Sequence, residues 1–423
     1  MLRTLRRAYW SRARQFQSLK DALIGGEPAF RKVVLGDHLG RRAAIVPVAG
    51  ETGERAALAV AWLLRAQDAT DDGGVSYGYF PTGPAGGWQR SYPETTGYIM
   101  SSLLAYGRRA GRPELVERVA RMAHWEADVQ MPSGAVQGGM LASAERQAPA
   151  TFNTGMVLDG FVSLLETRPD ARLSRAATAA ADFLAGDLND AGLFTTNGAF
   201  VSQDSIKLYN VLCAWALYRF GALTGAEIYR TAALRAAEGA LRFQAANGWF
   251  AENCLTLPER PLTHTIGYTL QGLLEVAALA GREDILDAVE RGFAPLAAAI
   301  EPNGYLAGRF DAGWRPAASW SCLTGSAQLA IVGYRLAVLG RGEHHAAAAD
   351  RLLGFLKAVQ RRDSGNAAID GALAGSYPIF GGYMSAGYPN WATKYLLDAL
   401  MLEAERKGID LAPAAAQPEP VTS

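Results

Sequence analysis

The 423-residue chain repeats itself, and its period constrains the fold more than any other feature. Six segments open on a small or polar cluster and run into an apolar stretch with helical patterning. They begin at Thr95-Thr96-Gly97-Tyr98, Asn153-Thr154-Gly155, Tyr209-Asn210, His264-Thr265-Ile266-Gly267-Tyr268, Leu323-Thr324-Gly325 and Asn390-Trp391-Ala392-Thr393. The starts lie about 55 to 58 residues apart, widening to about 67 before the last. Stretches such as Ile99 to Tyr106, Val157 to Leu165 and Leu270 to Leu279 are apolar almost all round, the pattern of helices buried on every side. Between them lie Glu54 to Gln67, Glu114 to Gln130, Leu173 to Leu188, Glu227 to Gln244, Glu283 to Ile300 and Glu343 to Gln360. Each of these keeps one polar stripe, as a helix facing solvent on one side does. Six inner helices without a polar stripe favour closure over an open solenoid. The expected architecture is all-α, a toroid of six helical hairpins, (α/α)6, whose inner helices line a central cavity.

The toroid is expected to span 51–408 as a single domain, with a basic N-terminal appendage at 1–50 and a flexible C-terminal tail at 409–423. The balance of 41 Lys and Arg against 41 Asp and Glu removes the basic field that nucleic-acid binding requires. The three cysteines, Cys213, Cys254 and Cys322, are far apart and suit a reducing cytoplasm. No stretch is long and apolar enough for a transmembrane helix. Met1 to Lys20 carries six basic residues and no acid, a pattern for weak contact with an anionic membrane surface or for a solvated arm.

In a toroid the loops entering the inner helices converge on the axis, so residues just before those starts share one cavity. The candidates gathered in this way are Trp88, Arg90, Tyr92 and Glu94; Asn153; Asp204, Lys207, Tyr209 and Asn210; Glu252 and His264; Asp311, Trp314 and Trp320; and Asn390, Trp391 and Lys394. Aromatic planes beside carboxylates, amides and cations suit a polyhydroxylated ligand. Glu94 reads as a catalytic acid and equally as a first-turn acid that meets the helix dipole. Glu252 and Asp311 sit in aromatic loops that could raise a carboxyl pKa, or that could hold salt bridges. His264 is the one histidine at an inner-helix start, fit for proton transfer or for a buried structural bond. No paired ligand spacing supports a metal, and phosphate loops, dinucleotide fingerprints and nucleophile elbows are missing, so no cofactor is expected.

The runs Trp88-Gln89-Arg90-Ser91-Tyr92-Pro93-Glu94-Thr95-Thr96-Gly97-Tyr98, Ser319-Trp320-Ser321-Cys322-Leu323-Thr324-Gly325 and Tyr388-Pro389-Asn390-Trp391-Ala392-Thr393-Lys394, with the Asn153 and His264 motifs, resemble a bacterial family of α/α-toroid proteins. That family, similar in fold to six-hairpin glycosidases, is met beside exopolysaccharide and surface-glycan biosynthesis functions. The resemblance implies a carbohydrate-active protein whose partner is an oligosaccharide or polysaccharide, lipid-linked or free. A terpene-cyclase reading lacks the Asp-rich acid, since Asp71-Asp72-Gly73-Gly74 reads as a turn. Three readings then stand, with hydrolysis the favoured one because four loop acids are more than a lyase needs. Hydrolysis would use a carboxylate pair, Glu94 with Glu252 or Asp311. A lyase or uronate C5-epimerase would use His264 and Tyr209 with Asn153 and Arg90. A non-catalytic glycan binder or scaffold would use the same aromatic cavity.

Overall fold

The computed structural model describes Lys20 and residues 27–82, 86–143, 146–199, 205–254 and 256–412. Among these, α1 (Pro28–Leu39) precedes twelve helices that alternate between an outer and an inner ring. The outer ring holds α2 (Thr52–Asp68), α4 (Leu115–Val129), α6 (Ala171–Gly186), α8 (Glu227–Leu241), α10 (Glu283–Ala298) and α12 (Glu343–Val359). The inner ring holds α3 (Pro93–Ala110), α5 (Thr151–Leu165), α7 (Leu212–Thr224), α9 (Thr263–Ala280), α11 (Leu323–Val338) and α13 (Asn390–Lys407). Each inner helix packs on the next, and α13 packs on both α3 and α2, so the ring closes on itself. The six-hairpin toroid is therefore the observed fold.

Two side-chain devices recur around the ring and explain the repeated motifs. At inner-helix starts a threonine hydroxyl accepts a backbone N–H from the loop before it: Thr96 from Val75 at 2.9 Å, Thr154 from Val136 at 2.9 Å and Thr393 from Leu373 at 3.0 Å. After Thr96 and Thr154 comes a glycine that permits close approach of the neighbouring inner helix. A Cβ on Gly97 would lie 2.7 Å from the Met156 backbone, and one on Gly155 would lie 2.4 Å from the Cys213 sulfur. At outer-helix ends a glutamine amide ties one hairpin to the next. Gln130 donates to Ala176, Gln244 to Ala288 and, across the closure, Gln360 to Arg55, each on a backbone carbonyl.

The two ends of the toroid differ in their connections. At one end short turns lead from inner to outer helices, with Gly111, Gly225 and Gly281 in the left-handed conformation past the helix ends. At the other, long loops lead from outer helices to inner-helix N-termini and carry the short strands. There β1 (Gly78–Phe80) pairs antiparallel with β2 (Gly87–Trp88) and with β5 (Tyr388–Pro389), stitching the first loop to the last through Tyr79 opposite Tyr388. A second pair joins β3 (Ser321–Cys322) to β4 (Ser376–Tyr377). The described part of the expected appendage is built into the body. Phe30 and Val34 of α1 are fully buried, and Asp37 accepts a 2.6 Å bond from Arg361. The basic residues from Arg3 to Arg14, like the tail after Ala412, lie outside the described residues.

Candidate functional site

The long-loop end holds an axial cavity of about 230 Å³. Its wall brings together Tyr92, Glu94, Asn153, Tyr209, Asn210, His264 and Trp391 of the expected residues, from five separate inner-helix starts. It adds Tyr77, Phe152, Asn197, Tyr268, Tyr383 and Met384, which the helix-start rule does not select. Tyr268 had a readable signal, since it follows His264 by four residues on α9 and therefore shares its face. Tyr383 comes from the loop after α12 and had none.

Glu94 occupies the first turn of α3, where proline at the helix start fixes the backbone and leaves the side chain at the cavity wall. Among the described wall residues it is the single carboxylate, and no Lys or Arg lines the cavity with it. Burial among aromatic rings raises its pKa to about 7, opposed by the Tyr92 hydroxyl, which donates to it at 3.4 Å. His264 is 4% exposed, and its ring lies 4.3 Å from that of Tyr268 and 5.2 Å from that of Tyr383, centroid to centroid. Burial lowers its pKa to about 4, so the imidazole is neutral near pH 7. Its Nδ1 is bonded to Oε1 of Gln328 at 2.8 Å, an acceptor that assigns the proton to Nδ1 and leaves Nε2 as a base. Desolvation pushes the hydroxyls of Tyr77, Tyr92, Tyr209, Tyr268 and Tyr383 up, so all five stay protonated donors. Asn153 is fixed by its amide donating to the Gln137 carbonyl at 2.9 Å, and Asn210 donates to Asn197 at 3.4 Å. The Trp391 indole donates to Tyr383 at 2.9 Å.

The other expected residues stand elsewhere. Glu252 is exposed, at a positive φ, and its backbone carbonyl receives the Leu208 N–H. Asp311 is ion-paired with Arg315 at 2.8 Å and closes a turn by accepting backbone N–H groups of Gly313 and Arg315. Neither joins Glu94 at the cavity wall, because both lie in loop turns several residues before a helix start. Trp88 packs on Trp62 and Tyr79, Arg90 is exposed, and Lys207 lies beside α8 behind the loop. The Trp314 indole donates to the Asn247 carbonyl, and Trp320 packs over Gly308 and Gly382. Asn390 turns back to hold the Ser76 carbonyl and Thr95, each at 2.8 Å. Asp204 lies outside the described residues.

Lys394 sits one turn into α13 and belongs to a second axial cavity at the short-turn end. Its ammonium pairs with Asp398 at 2.8 Å and lies over the rings of Tyr98 and Tyr395, at 5.0 and 4.0 Å from their centroids. Tyr395 in turn packs on Tyr268, so buried tyrosines separate the two cavities. Away from both, Glu290, His344 and His345 bring three potential ligand atoms within 4.8 Å of one another, but Arg341 pairs with the Glu290 carboxylate at 2.8 Å. No helix among the described residues is long and apolar enough to cross a membrane.

No family model matches the sequence, and no curated protein matches it. Among solved structures the chain is similar to an unsaturated glucuronyl hydrolase specific for heparin, with TM-score 0.68 and 16% identity over 86% of this chain and 99% of that one. It is also similar to a polysaccharide lyase, with TM-score 0.59 and 12% identity over 85% and 99% of the two chains. A third similar structure is the cellobiose 2-epimerase of Bacillus thermoamylovorans, with TM-score 0.62 and 8% identity over 82% and 97%. At these identities the likeness speaks for the (α/α)6 toroid fold and for nothing finer.

Proposed function

We propose that the long-loop cavity is the active site of a carbohydrate-active enzyme that removes a proton from a sugar carbon next to a carboxyl or carbonyl group, as a lyase or epimerase does. The observation that carries this reading is the pairing of a neutral histidine with one carboxyl of pKa near 7 in a cavity otherwise furnished with tyrosines and amides. His264 Nε2 takes the proton, while the protonated Glu94 and the tyrosine hydroxyls hydrogen-bond the oxygen on which charge develops. Return of a proton to the opposite face gives the epimer. Loss of the neighbouring C–O bond, with a proton delivered to the leaving oxygen, gives an unsaturated sugar. Inner-helix N-termini around the cavity supply a positive potential that suits an acidic sugar without a side-chain cation. Bacterial polysaccharides or their oligosaccharides are the substrate class, in line with the resemblance to proteins met beside surface-glycan biosynthesis.

Hydrolysis is the second reading, favoured by the elevated pKa of Glu94 and by the hydrolase among the similar structures. A carboxylate pair of Glu94 with Glu252 or Asp311 finds no support in their placement. One acid suffices, however, to protonate the enol ether of an unsaturated glucuronyl group, with His264 activating water.

The test is incubation of the purified protein, in D₂O, with neutral and uronate-containing polysaccharides and with unsaturated oligosaccharides. New reducing ends with ultraviolet absorbance mean a lyase, and deuterium at carbon without new ends means an epimerase. Loss of absorbance from unsaturated substrates means the hydrolase. Glycan binding without any of these overturns the enzymatic reading and leaves a binder.

A further inference from the structure

The residue that binds the His264 ring breaks the repeat. Five of the inner helices start from the N-cap residues Tyr92, Ala150, Leu262, Cys322 and Pro389. Two residues past the cap stand Glu94, Phe152, His264, Thr324 and Trp391, four of them on the cavity wall. Six residues past it stand Tyr98, Met156, Tyr268, Gln328 and Tyr395, all buried. Rings and a thioether thus fill that second position, except on α11. The crossing of α9 and α11 is fitted to the exception from both sides. A Cβ on Gly267 of α9 would lie 2.8 Å from the Gln328 Cβ, and one on Gly325 of α11 would lie 2.5 Å from the His264 backbone N. Gln328 has no exposed surface, and its Nε2 has no partner among the described residues. Its bond to His264 Nδ1, at 2.8 Å, is therefore what offsets the burial of an amide at this place.

We propose that Gln328 is a positioning residue for the proton transfer at His264: it holds the imidazole as the Nδ1–H tautomer, with Nε2 left for substrate, and does so without adding a charge. This role rests on the reading of His264 as the base. A carboxylate in the place of Gln328 would also accept from Nδ1, but it would stabilise the imidazolium and leave the histidine protonated before it met substrate. An apolar side chain there would leave Nδ1 without an acceptor and the tautomer unfixed. The two chemical roles at the cavity are separated in the same way. Glu94 stands on α3 where His264 stands on α9, and the counterpart of Gln328 on the helix after it is Met156, which offers neither charge nor N–H.

The experiment labels histidine with ¹⁵N in the full chain and records long-range ¹H–¹⁵N spectra, with H264N to identify the His264 signals among the five histidines. At pH 7 the parent should show a protonated Nδ1 and an unprotonated Nε2. Q328M should lose that preference and lower kcat about tenfold or more, with KM within about twofold of the parent. Q328E should keep the tautomer and move the acid limb of the pH profile up by about two units. A Q328M protein that keeps either its tautomer or its kcat overturns the role. So does a parent whose His264 carries its proton on Nε2, a result that needs no variant to fold. A parent that turns over no substrate fails the reading of the site instead, and the spectra still decide whether Gln328 sets the imidazole.

Discussion

The same six inner helices end in two cavities of opposite character. At the short-turn end the lining is held by part-buried ion pairs: Arg219 with Asp159, Arg335 with Glu275 at 2.8 Å, and Lys394 with Asp398 at 2.8 Å. At the long-loop end one carboxyl stands unpaired by any cation among neutral donors and rings. Helix dipoles account for part of this contrast, since cations complement the C-terminal ends, while the N-terminal ends need no side-chain cation. Loop length accounts for the rest. Short turns can only close a helix, whereas long loops can carry tyrosines to the axis and leave an acid without a partner. Paired charges hold the ring, and the unpaired one is available for chemistry.

The largest effect that would sharpen this contrast is catalytic. E94Q and H264A should each lower kcat/KM by about 10²- to 10⁴-fold on whichever substrate the screen identifies, with melting temperatures near that of the parent. Equal rates in parent and variants would break the division between the two ends. The pH profile should show activity rising as His264 loses its proton near pH 4 and falling as Glu94 loses its own near pH 7.

Next in size is a stability effect confined to the other end. R219M strands the nearly buried Asp159 carboxylate and should cost about 3 kcal/mol in denaturant unfolding. Its kcat/KM should stay within a few-fold of the parent. A smaller effect concerns the pH dependence of stability. The raised pKa of Glu94 stabilises the fold below the unfolded-state value near 4.5, and that contribution is lost as pH rises through about 7. His264 acts in the opposite sense, its contribution being lost as pH falls from 6.5 toward 4. The two contributions oppose each other between pH 5 and pH 8 and largely cancel in the parent, so the unfolding free energy should rise over that interval in E94Q and fall in H264A. The smallest expected effect is on the two loop acids away from the cavity. E252Q and D311N should change kcat/KM by less than about twofold, as surface changes away from a site do.

The period made the twelve helices and their inner or outer assignment legible, because a helix buried on all sides and one with a polar stripe differ in every turn. The cavity was legible where a residue stands within the first turn of an inner helix, as Glu94, Asn153, His264 and Trp391 do. Further upstream the rule fails, because loops turn. Asp311 folds onto Arg315, and Trp314 lies over Asn247. One turn further in it fails as well: Lys394 has moved along α13 past the tyrosine layer and into the other cavity. Asn390 stands at the right position but spends its amide on Ser76 and Thr95, a partner choice made some three hundred residues away in the chain. Tyr383 reaches the cavity from a loop whose path no local pattern describes.

Closure of the ring by α13 has a consequence for how the molecule comes into being. Thr52 bonds Glu403 at 2.7 Å, Lys357 bonds the Gly50 carbonyl at 2.7 Å, and Ser102 bonds Asp398 at 2.6 Å, so the first hairpin is completed by the last. On a ribosome adding roughly 5–20 residues per second, the apolar flank of α3 waits tens of seconds for its neighbour to emerge. During that interval the growing arc is an open solenoid with two uncapped faces, and its sequestration by a chaperone, or by speed of synthesis, is part of what the closed toroid demands of the cell that makes it.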